Sequence, residues 1–282
     1  MKTIKNIIML NLFVASCTFC GCSGDDNPSD SSSVTEIPGY NLIWNDEFEG
    51  TSINDKKWEH EVNANGGGNN ELQYYTARSE NSYVKDGSLF IVALKENYSG
   101  NEGKRDYTSA RMRTLNKGDW KYGRIEVRAK LPFGQGLWPA IWMLPTDWVY
   151  GGWAASGEID IMELLGHEPE RVYGTLHYGG TFPNNTHSGS SYKLPTGNFS
   201  NDFHVFRLDW EEGEFRWYVD DIIYLTQKNW FSGSNPYPAP FDQKFHMLLN
   251  VAVGGNWPGS PNLSTSFPQI MEVDFVRVYQ KK

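Results

Sequence analysis

Short segments in which apolar and polar residues alternate recur along the chain, and this pattern constrains the fold more than any other feature. In 122–131 every second residue is apolar, a period of two that is typical of a half-buried β-strand. The segments 206–210 and 215–219 alternate in the same way around a short Glu-Gly turn, which predicts a hairpin. Residues 89–93 and 271–279 also alternate. The chain is therefore predicted to consist mainly of strands.

The arrangement of these segments indicates the fold class. Residues 245–253 are almost continuously apolar, as expected of a strand covered on both sides. No stretch carries a long helical period. Many short strands with Gly, Pro and Asn turns, and 28 Gly in 282 residues, indicate an all-β sandwich or barrel. Because composition does not shift after Tyr40, we predict one domain over 40–282.

Composition narrows the range of ligands. Aromatic residues make up 15% of the chain, which supplies ample volume for a packed core. The net charge is −9, and no Lys/Arg run is present to neutralise phosphates. Nucleic acid is therefore not expected as a partner, and an uncharged or basic ligand fits better.

The first 22 residues have the layout of a secretory signal. Lys2 and Lys5 precede a largely apolar stretch at 7–14, far shorter than the ~20 residues that span a bilayer. We therefore predict a signal and lipobox region over 1–22. Residues 23–39 are rich in Ser, Asp, Asn and Pro, which predicts a flexible tether.

All three cysteines lie in this N-terminal region. The Val-Ala-Ser-Cys ending at Cys17 resembles a bacterial lipobox, and the acidic sequence after Cys22 resembles the start of many mature lipoproteins. The alternative is an ordinary signal with incidental cysteines. With Cys20 as the third, no cysteine is left in the predicted domain for a disulfide. We predict an exported protein, lipid-anchored through Cys17 or Cys22 at the surface or periplasmic face of a bacterial outer membrane.

The sharpest candidate site consists of Glu158, Asp160 and Glu163. On a strand, Ile159 and Ile161 face one side, which places Glu158 and Asp160 together on the other. Strict alternation would bury Glu163, and a buried unpaired carboxylate is costly. A β-bulge of one extra residue would return Glu163 to the face of the other two acids. Solvated surface acids or a Ca²⁺ site are the alternatives.

Three acids on one face suit the cleavage of glycosidic bonds. One carboxylate attacks the anomeric carbon and a second protonates the leaving oxygen, and in retaining enzymes the two groups lie roughly 5–5.5 Å apart. Crowded negative charge holds a proton on one of them at neutral pH. The sequence contains no Gly-x-Ser-x-Gly, P-loop or His-Glu-x-x-His motif. It therefore gives no support for an α/β-hydrolase, a nucleotide-binding enzyme or a zinc metalloprotease.

Tryptophan supports a carbohydrate cleft. Trp138 and Trp142 lie four residues apart, on one face if extended, and Trp148, Trp153 and Trp257 lie in Gly/Pro-rich surroundings. Aromatic rings are good platforms for the C–H faces of sugars. Core packing is the alternative for any one of them.

Several longer motifs carry a family resemblance. They lie at 44–48, 122–132, 136–145, 153–163 and 273–279. Together they resemble the laminarinases (endo-1,3-β-glucanases) of glycoside hydrolase family 16 over the whole domain. The resemblance implies a β-jelly-roll sandwich of two curved antiparallel sheets, a concave substrate groove and a retaining double displacement on internal β-1,3 bonds of laminarin-type glucans.

The resemblance also assigns roles to the three acids. It makes Glu158 the nucleophile, Glu163 the acid/base and Asp160 the residue that tunes and orients the nucleophile. The Glu-x-Asp-x-x-Glu form, with Met162 as the extra residue, is typical of laminarinases, whereas lichenases have the shorter Glu-x-Asp-x-Glu.

Further positions follow from the resemblance. Trp138 and Trp142 correspond to tryptophans near the cleavage point, and Arg111 and Asn70 to groove residues that bind sugar hydroxyls. His177 corresponds to a histidine near the acid/base, with a hydrogen-bonded wall residue as the alternative. Trp153 and Trp257 are the remaining candidates for substrate binding.

The resemblance requires no cofactor for the chemistry and allows a structural calcium ion. Glu47, Gly87 and Asp274 correspond to the calcium site on the convex side, and oxygen ligands are what this hard cation requires. Asp274 as a simple strand-end acid is the alternative.

Other functions stay open at this stage. The same acids act on mixed-linkage β-1,3-1,4-glucan and on marine galactans in related enzymes, so the acids indicate the reaction and not the polymer. A non-catalytic glycan-binding surface lipoprotein would share the sandwich and the tryptophans, but it would have no reason to keep both glutamates. We expect a monomer.

Overall fold

The computed structural model describes residues 36–282, which form a sandwich of two β-sheets. The predicted signal at 1–22 and most of the predicted tether lie outside the described residues. Within 36–282 the helical content is one short 3₁₀ turn, Gly66–Gly68. No apolar helix long enough to cross a bilayer occurs in this part of the chain.

The described residues contain 18 strands. In chain order they are β1 (Tyr40–Asp46), β2 (Glu59–Glu61), β3 (Gln73–Tyr75), β4 (Ser82–Lys85), β5 (Ser88–Gly100), β6 (Gly103–Ser109), β7 (Arg111–Arg113), β8 (Asp119–Trp120), β9 (Gly123–Lys130), β10 (Leu137–Pro145), β11 (Glu158–Leu164), β12 (Arg171–Gly179), β13 (Asn185–Lys193), β14 (His204–Glu211), β15 (Glu214–Val219), β16 (Ile222–Gln227), β17 (Phe245–Val253) and β18 (Gln269–Lys281).

The strands divide between a ten-stranded and an eight-stranded sheet. The ten-stranded sheet has the order β16-β15-β14-β9-β18-β5-β6-β3, with β1 beside β18 and β4 beside β5. The eight-stranded sheet has the order β13-β12-β11-β10-β17-β7-β2, with β8 beside β17. All pairs are antiparallel except β3 with β6. The predicted all-β sandwich is confirmed.

The alternating segments form the strands predicted for them. In β9 the apolar residues Ile125, Val127 and Ala129 are fully buried, and the charged residues between them are half-buried. Strands β14 and β15 pair as a hairpin, with Glu211 opposite Glu214. Both predictions are confirmed. Successive side chains of a strand point to opposite faces of the sheet, so a sheet with one buried face requires an apolar residue at every second position.

The core lies between the two sheets, and β17 at the centre of the eight-stranded sheet is buried along its whole length. Its alternate residues Phe245, Met247 and Leu249 belong to the core cluster. Its opposite side carries His246 and Asn250, which are also covered. The eight-stranded sheet therefore has a second covered face, and the candidate site lies there.

Candidate active site

Strand β11 is preceded by a residue that only glycine fits. Gly157 has φ +84°, and a Cβ there would lie 2.7 Å from the Phe241 ring. Glycine adopts this left-handed backbone without penalty. The chain can thus turn tightly against the core and present Glu158 as the first residue of β11.

The predicted β-bulge is present in β11. Asp160 lies opposite Trp142 of β10 and Met162 lies opposite Ile141, so Ile161 has no partner there. Ile161 and Met162 are both buried in the core cluster. The bulge prediction is confirmed, but the extra residue in the pairing with β10 is Ile161 and not Met162.

The bulge brings the three acids to one face of the sheet. Glu158, Asp160 and Glu163 all line the groove on the outer side of the eight-stranded sheet. Two successive core residues between Asp160 and Glu163 replace the strict alternation that would have buried Glu163 in the apolar interior.

Each glutamate is held by the indole N–H of a tryptophan. Trp153 Nε1 donates to Glu158 Oε2 at 2.7 Å, and Trp138 Nε1 donates to Glu163 Oε1 at 3.0 Å. In each carboxylate the second oxygen is left for another partner. The two indoles therefore fix the orientation of the acids without supplying a positive charge.

Burial and mutual repulsion make these acids hard to ionise. Burial, with the charge of Asp160, raises the pKa of Glu158 to about 8, although His177 and Trp153 act in the opposite direction. Burial raises the pKa of Asp160 to about 8. Burial and the charges of both other acids raise the pKa of Glu163 well above its ordinary range. Glu163 faces repulsion from both neighbours, so it is the best placed of the three to hold a proton.

Asp160 is positioned by its backbone and faces a histidine. Its carbonyl accepts a hydrogen bond from Trp217 Nε1 at 2.8 Å, and Asp160 is 2% exposed. Asp160 Oδ2 lies 3.4 Å from His177 Nε2 and has no hydrogen-bond partner among the described residues. A buried carboxylate oxygen without a partner is rare, and here it faces the site.

His177 lies beside the acids of β11. It pairs with Glu158 across β11 and β12, and its Nε2 lies 3.7 Å from Glu158 Oε1. Within 4 Å its acidic neighbours are Glu158 and Asp160. His177 also lines the same lobe as Glu163, and its charge acts on the pKa of Glu163. Among the His, Cys, Asp and Glu side chains of the described residues, Glu158, Asp160 and His177 form the one group of three whose ligand atoms lie within 4.8 Å of one another.

The groove extends to both sides of β11. A first lobe of about 710 Å³ lies over β10, β17 and β7, and a second lobe of about 910 Å³ lies over β12 and β13. Both lobes share Asn69, Trp138, Trp153, Glu158 and Glu163. The acids thus lie in the middle of a continuous cleft, at the size typical of ligand sites.

Trp142 and Arg111, both predicted from the sequence, lie together in the first lobe. Trp142 Nε1 donates to Asn250 Oδ1 at 2.8 Å, and the Arg111 guanidinium lies 5.3 Å from the Trp142 ring centre. Arg111 also lies 3.6 Å from Glu61 and 3.7 Å from Glu71. Its charge is therefore balanced within the wall of the groove.

Trp257 and Asn70 contribute to the groove in different ways. Trp257 packs edge-on against Trp138 at 5.5 Å and Tyr173 at 5.0 Å and lines the second lobe. Asn70 lines neither lobe, and its side chain donates at 2.9 Å to Oδ1 of Asn256, which lines the first lobe. Asn70 therefore joins two wall segments, and the lining residue is its neighbour Asn69.

Several lining residues were missed in the sequence. Tyr173 and Thr175 line the second lobe at alternate positions before His177 on β12, so a period of two would have found them. Asn250 is a polar residue inside an apolar strand, which is also a readable signal. Phe182 of the first lobe carried none.

The residues predicted for calcium have other partners. The Glu47 carboxylate accepts two hydrogen bonds from Arg277, the shorter at 2.8 Å, and the Asp274 carboxylate lies 2.6 Å from Arg128. Gly87, with φ +80°, lies between β4 and β5. In this structure an arginine balances each of the two carboxylates, and the calcium site stays a prediction.

The comparisons with known proteins agree with this geometry. Residues 49–276 match the sequence profile of glycosyl hydrolases family 16. The chain belongs to that family. It is 46% identical over 264 residues to glucan endo-1,3-β-glucosidase A1 of Niallia circulans, covering 87% of this chain and 39% of that protein's length. It is 42% identical to a β-glucanase of Rhodothermus marinus, covering 98% of this chain and 96% of that protein.

Among solved structures, the family 16 hydrolase resembles the laminarinase catalytic domain of Thermotoga maritima. The TM-score is 0.77 at 44% identity, over 86% of this chain and 99% of the other. The family resemblance and the jelly-roll architecture inferred from the sequence are both confirmed by these matches.

Proposed function

We propose that the chain is an endo-1,3-β-glucanase that hydrolyses laminarin-type β-glucans with retention of anomeric configuration. The observation that carries the proposal is the pair of glutamates on one face of β11, each held by a tryptophan indole in the middle of a two-lobed groove. The named activity of the Niallia relative supports the same reaction.

The two glutamates divide the chemistry. The negative charges of Asp160 and Glu158 raise the pKa of Glu163, so Glu163 is protonated and donates that proton to the glycosidic oxygen as the bond breaks. Glu158, whose ionised form is favoured by Trp153 and His177, attacks the anomeric carbon and forms a glycosyl ester. Glu163 then takes a proton from water, which displaces Glu158 and restores the starting configuration. Asp160 orients Glu158, and its charge raises the pKa of Glu158.

The groove favours cleavage inside a neutral chain. Lobes on both sides of the acids accommodate sugar residues before and after the cleaved bond. Among the described residues that line either lobe, Arg111 is the one Lys or Arg, and Glu61 and Glu71 lie beside it. Sulfated galactans would need more positive charge, so an uncharged glucan fits better.

A substrate screen tests this function. Laminarin, lichenan, curdlan, agarose and carrageenan are incubated with the full chain, and products are sized while their anomeric configuration is followed by NMR. We expect oligosaccharides of several lengths from laminarin and curdlan, with the β-anomer formed first. Activity confined to agarose or carrageenan, an initial α-anomer, or binding to laminarin without turnover would each contradict the proposal.

We also propose that the chain is an exported monomer, lipid-anchored at a bacterial outer membrane. The charged and apolar pattern of 1–22 and the two cysteine contexts support this proposal. Labelled palmitate is expected to be incorporated in the bacterial host and to be lost in either Cys17→Ser or Cys22→Ser, which identifies the modified residue. An unlabelled wild-type chain would indicate an ordinary signal, and light scattering measures the oligomeric state.

A further inference from the structure

Three side chains in the groove present metal-ligating atoms to one point. Glu158 Oε1 lies 3.7 Å from His177 Nε2, and Asp160 Oδ2 lies 3.4 Å from the same nitrogen. All three atoms fall within 4.8 Å of one another. They belong to two adjacent strands, β11 and β12, in which Glu158 lies directly opposite His177.

These separations match a small tetrahedral cation. Zinc binds carboxylate oxygen at about 2.0–2.2 Å and imidazole nitrogen at about 2.0–2.1 Å, which places tetrahedral ligand atoms roughly 3.3–3.6 Å apart. The two separations from His177 Nε2 lie at or just above that range. The ligand atoms of the two carboxylates lie within 4.8 Å of each other, so these side chains move closer together when a cation binds. Two carboxylates with one imidazole suit zinc and copper, whereas calcium takes six to eight oxygen ligands.

The ligand atoms are available and lack a balancing cation. Asp160 Oδ2 is buried and has no hydrogen-bond partner among the described residues. Trp153 holds Glu158 through Oε2, which leaves Oε1 free and fixed in orientation. No Lys or Arg of the described chain lies within 4.0 Å of either carboxylate. A divalent cation would supply the missing positive charge.

We propose that Glu158, Asp160 and His177 bind one divalent transition-metal cation of the zinc class, in competition with the glycan. The cation bridges the two strands through one oxygen of each carboxylate and His177 Nε2, and water completes the shell. A bound cation occupies Glu158 Oε1, so hydrolysis stops until it leaves. That inhibitory consequence rests on the proposed function, whereas the binding itself does not.

The site is expected to exchange its metal readily. Ligating histidines usually donate their second ring N–H to an acceptor, and loss of such support costs roughly 10–100-fold in affinity. His177 Nδ1 has no hydrogen-bond partner among the described residues. The arrangement therefore favours reversible inhibition and not a permanently bound structural metal.

Calorimetric titration with zinc chloride tests the site directly. The full chain is first alkylated, so that Cys17, Cys20 and Cys22 contribute no ligands, and binding is then measured without any substrate. We expect one zinc per chain, and at least tenfold weaker binding in His177→Ala. His187→Ala is the matched control, because the His187 ring lies 5.4 Å from that of His177 and is not among the converging ligands. Its affinity should stay within twofold of wild type.

A second variant and a second readout keep the test independent of folding. Asp160→Asn preserves the side-chain shape, and its circular dichroism and melting curve verify the fold. It should also bind zinc at least tenfold more weakly. Cobalt(II) should give the intense visible absorption of a four-coordinate site in wild type and not in Asp160→Asn.

The outcomes separate the site from the function. Absence of zinc binding at millimolar concentration, or unchanged affinity in both His177→Ala and Asp160→Asn, overturns the proposed site. Zinc that binds at this site without slowing laminarin hydrolysis overturns the inhibition alone. A chain that binds zinc as expected but hydrolyses no glucan would contradict the proposed function while the site stands.

Discussion

The acids of β11 and the acids on the outer face of the ten-stranded sheet have different kinds of partner. On the ten-stranded sheet, Asp209 lies 2.9 Å from Arg124, and Glu272 lies 2.6 Å from Lys130. On the eight-stranded sheet, Glu158 and Glu163 accept hydrogen bonds from uncharged indoles. The acids of β11 therefore have no Lys or Arg of residues 36–282 within 4.0 Å, whereas Glu59 and Glu61 at the edge of the same sheet pair with Arg113.

The pKa values of these carboxylates depend on whether a Lys or Arg lies beside them. Lys281 and Arg216 hold the pKa of Glu211 on the ten-stranded sheet below its ordinary value. Burial raises the pKa of Glu158 and of Asp160 to about 8. Strongly perturbed carboxylates in a cleft, with no ion pair to explain them, are the pattern expected of catalytic acids. Burial also raises the pKa of Glu126 on the ten-stranded sheet, but three arginines act against that rise, and in the described part of the chain no such cluster surrounds the acids of β11.

The largest expected effect comes from neutralising a groove glutamate. In Glu163→Gln we expect kcat/KM on laminarin to fall by roughly 10²–10⁴-fold, the usual contribution of general acid–base catalysis. Glu272→Gln, on the ten-stranded sheet, should stay within twofold because it removes only a partly exposed ion pair. Near-full activity in Glu163→Gln, or an equal loss in Glu272→Gln, would contradict a catalytic role for Glu163.

Azide rescue distinguishes the roles of the two glutamates. In Glu158→Ala, azide attacks an activated β-glucoside directly, and the product should be the α-glycosyl azide. In Glu163→Ala, azide attacks the glycosyl ester on Glu158, and the product should be the β-anomer. NMR of the isolated azides reports the configuration, and swapped anomers would reverse the two roles.

A smaller effect is expected from the indole N–H groups. Trp153→Phe keeps a ring and removes the hydrogen bond to Glu158, and a bond to a charged group is worth about 1.5–3 kcal/mol. We expect kcat/KM to fall by at least about tenfold. Since the N–H favours ionised Glu158, its loss raises the pKa of Glu158, and the acidic limb of the pH–kcat/KM profile should move to higher pH.

Trp138→Phe is the corresponding test for Glu163, because it removes the indole N–H that donates to that carboxylate. The Trp138 N–H lowers the pKa of Glu163, so its removal raises that pKa further. The alkaline limb should then move to higher pH while the acidic limb stays in place. Loss of activity with both limbs unmoved in both variants would mean that the indoles only shape the groove.

The sequence predicted those parts of the fold that depend on local pattern. Alternation identified β9 and the β14–β15 hairpin, and a continuous apolar run identified β17. In each case the polarity of a side chain indicates which face of the sheet it lies on. Strand β13, Asn185–Lys193, is mostly polar, and its position depends on pairing with β12. Such a strand is specified by a distant partner, so no local period reveals it.

The same distinction applies to the site. The acids were found because Glu158, Asp160 and Glu163 lie on one strand. The wall contact between Asn70 and Asn256 joins residues 186 positions apart, so Asn70 was assigned to the groove itself. His177 was expected near Glu163, and the pairing of β11 with β12 also sets it directly opposite Glu158. The local sequence was enough to identify the three acids. The residues around them depend on the pairing of strands and loops that are distant in the sequence.

Stability should depend on pH with opposite sign on the two faces, which is the smallest effect expected. Burial raises the pKa of Asp160 from 3.8 to about 8, so ionising Asp160 destabilises the fold increasingly as pH rises across that window. Asp160→Asn removes this cost. The melting temperature of the variant should match wild type near pH 4 and exceed it at pH 8 by at least about 2–4 °C, for about 1 kcal/mol.

Glu211→Gln is the counterpart on the ten-stranded sheet. Lys281 and Arg216 lower the pKa of Glu211, so its ion pairs stabilise the fold above its ordinary pKa and lose that effect as pH falls through the lowered value. Partly exposed pairs contribute about 0–1 kcal/mol, so the variant should melt at most about 4 °C lower at neutral pH and equal wild type in acid. If both variants shift the melting temperature in the same direction at pH 8, the charges on the two faces are not in opposite environments. The raised pKa values would then not mark the acids of β11 as functional.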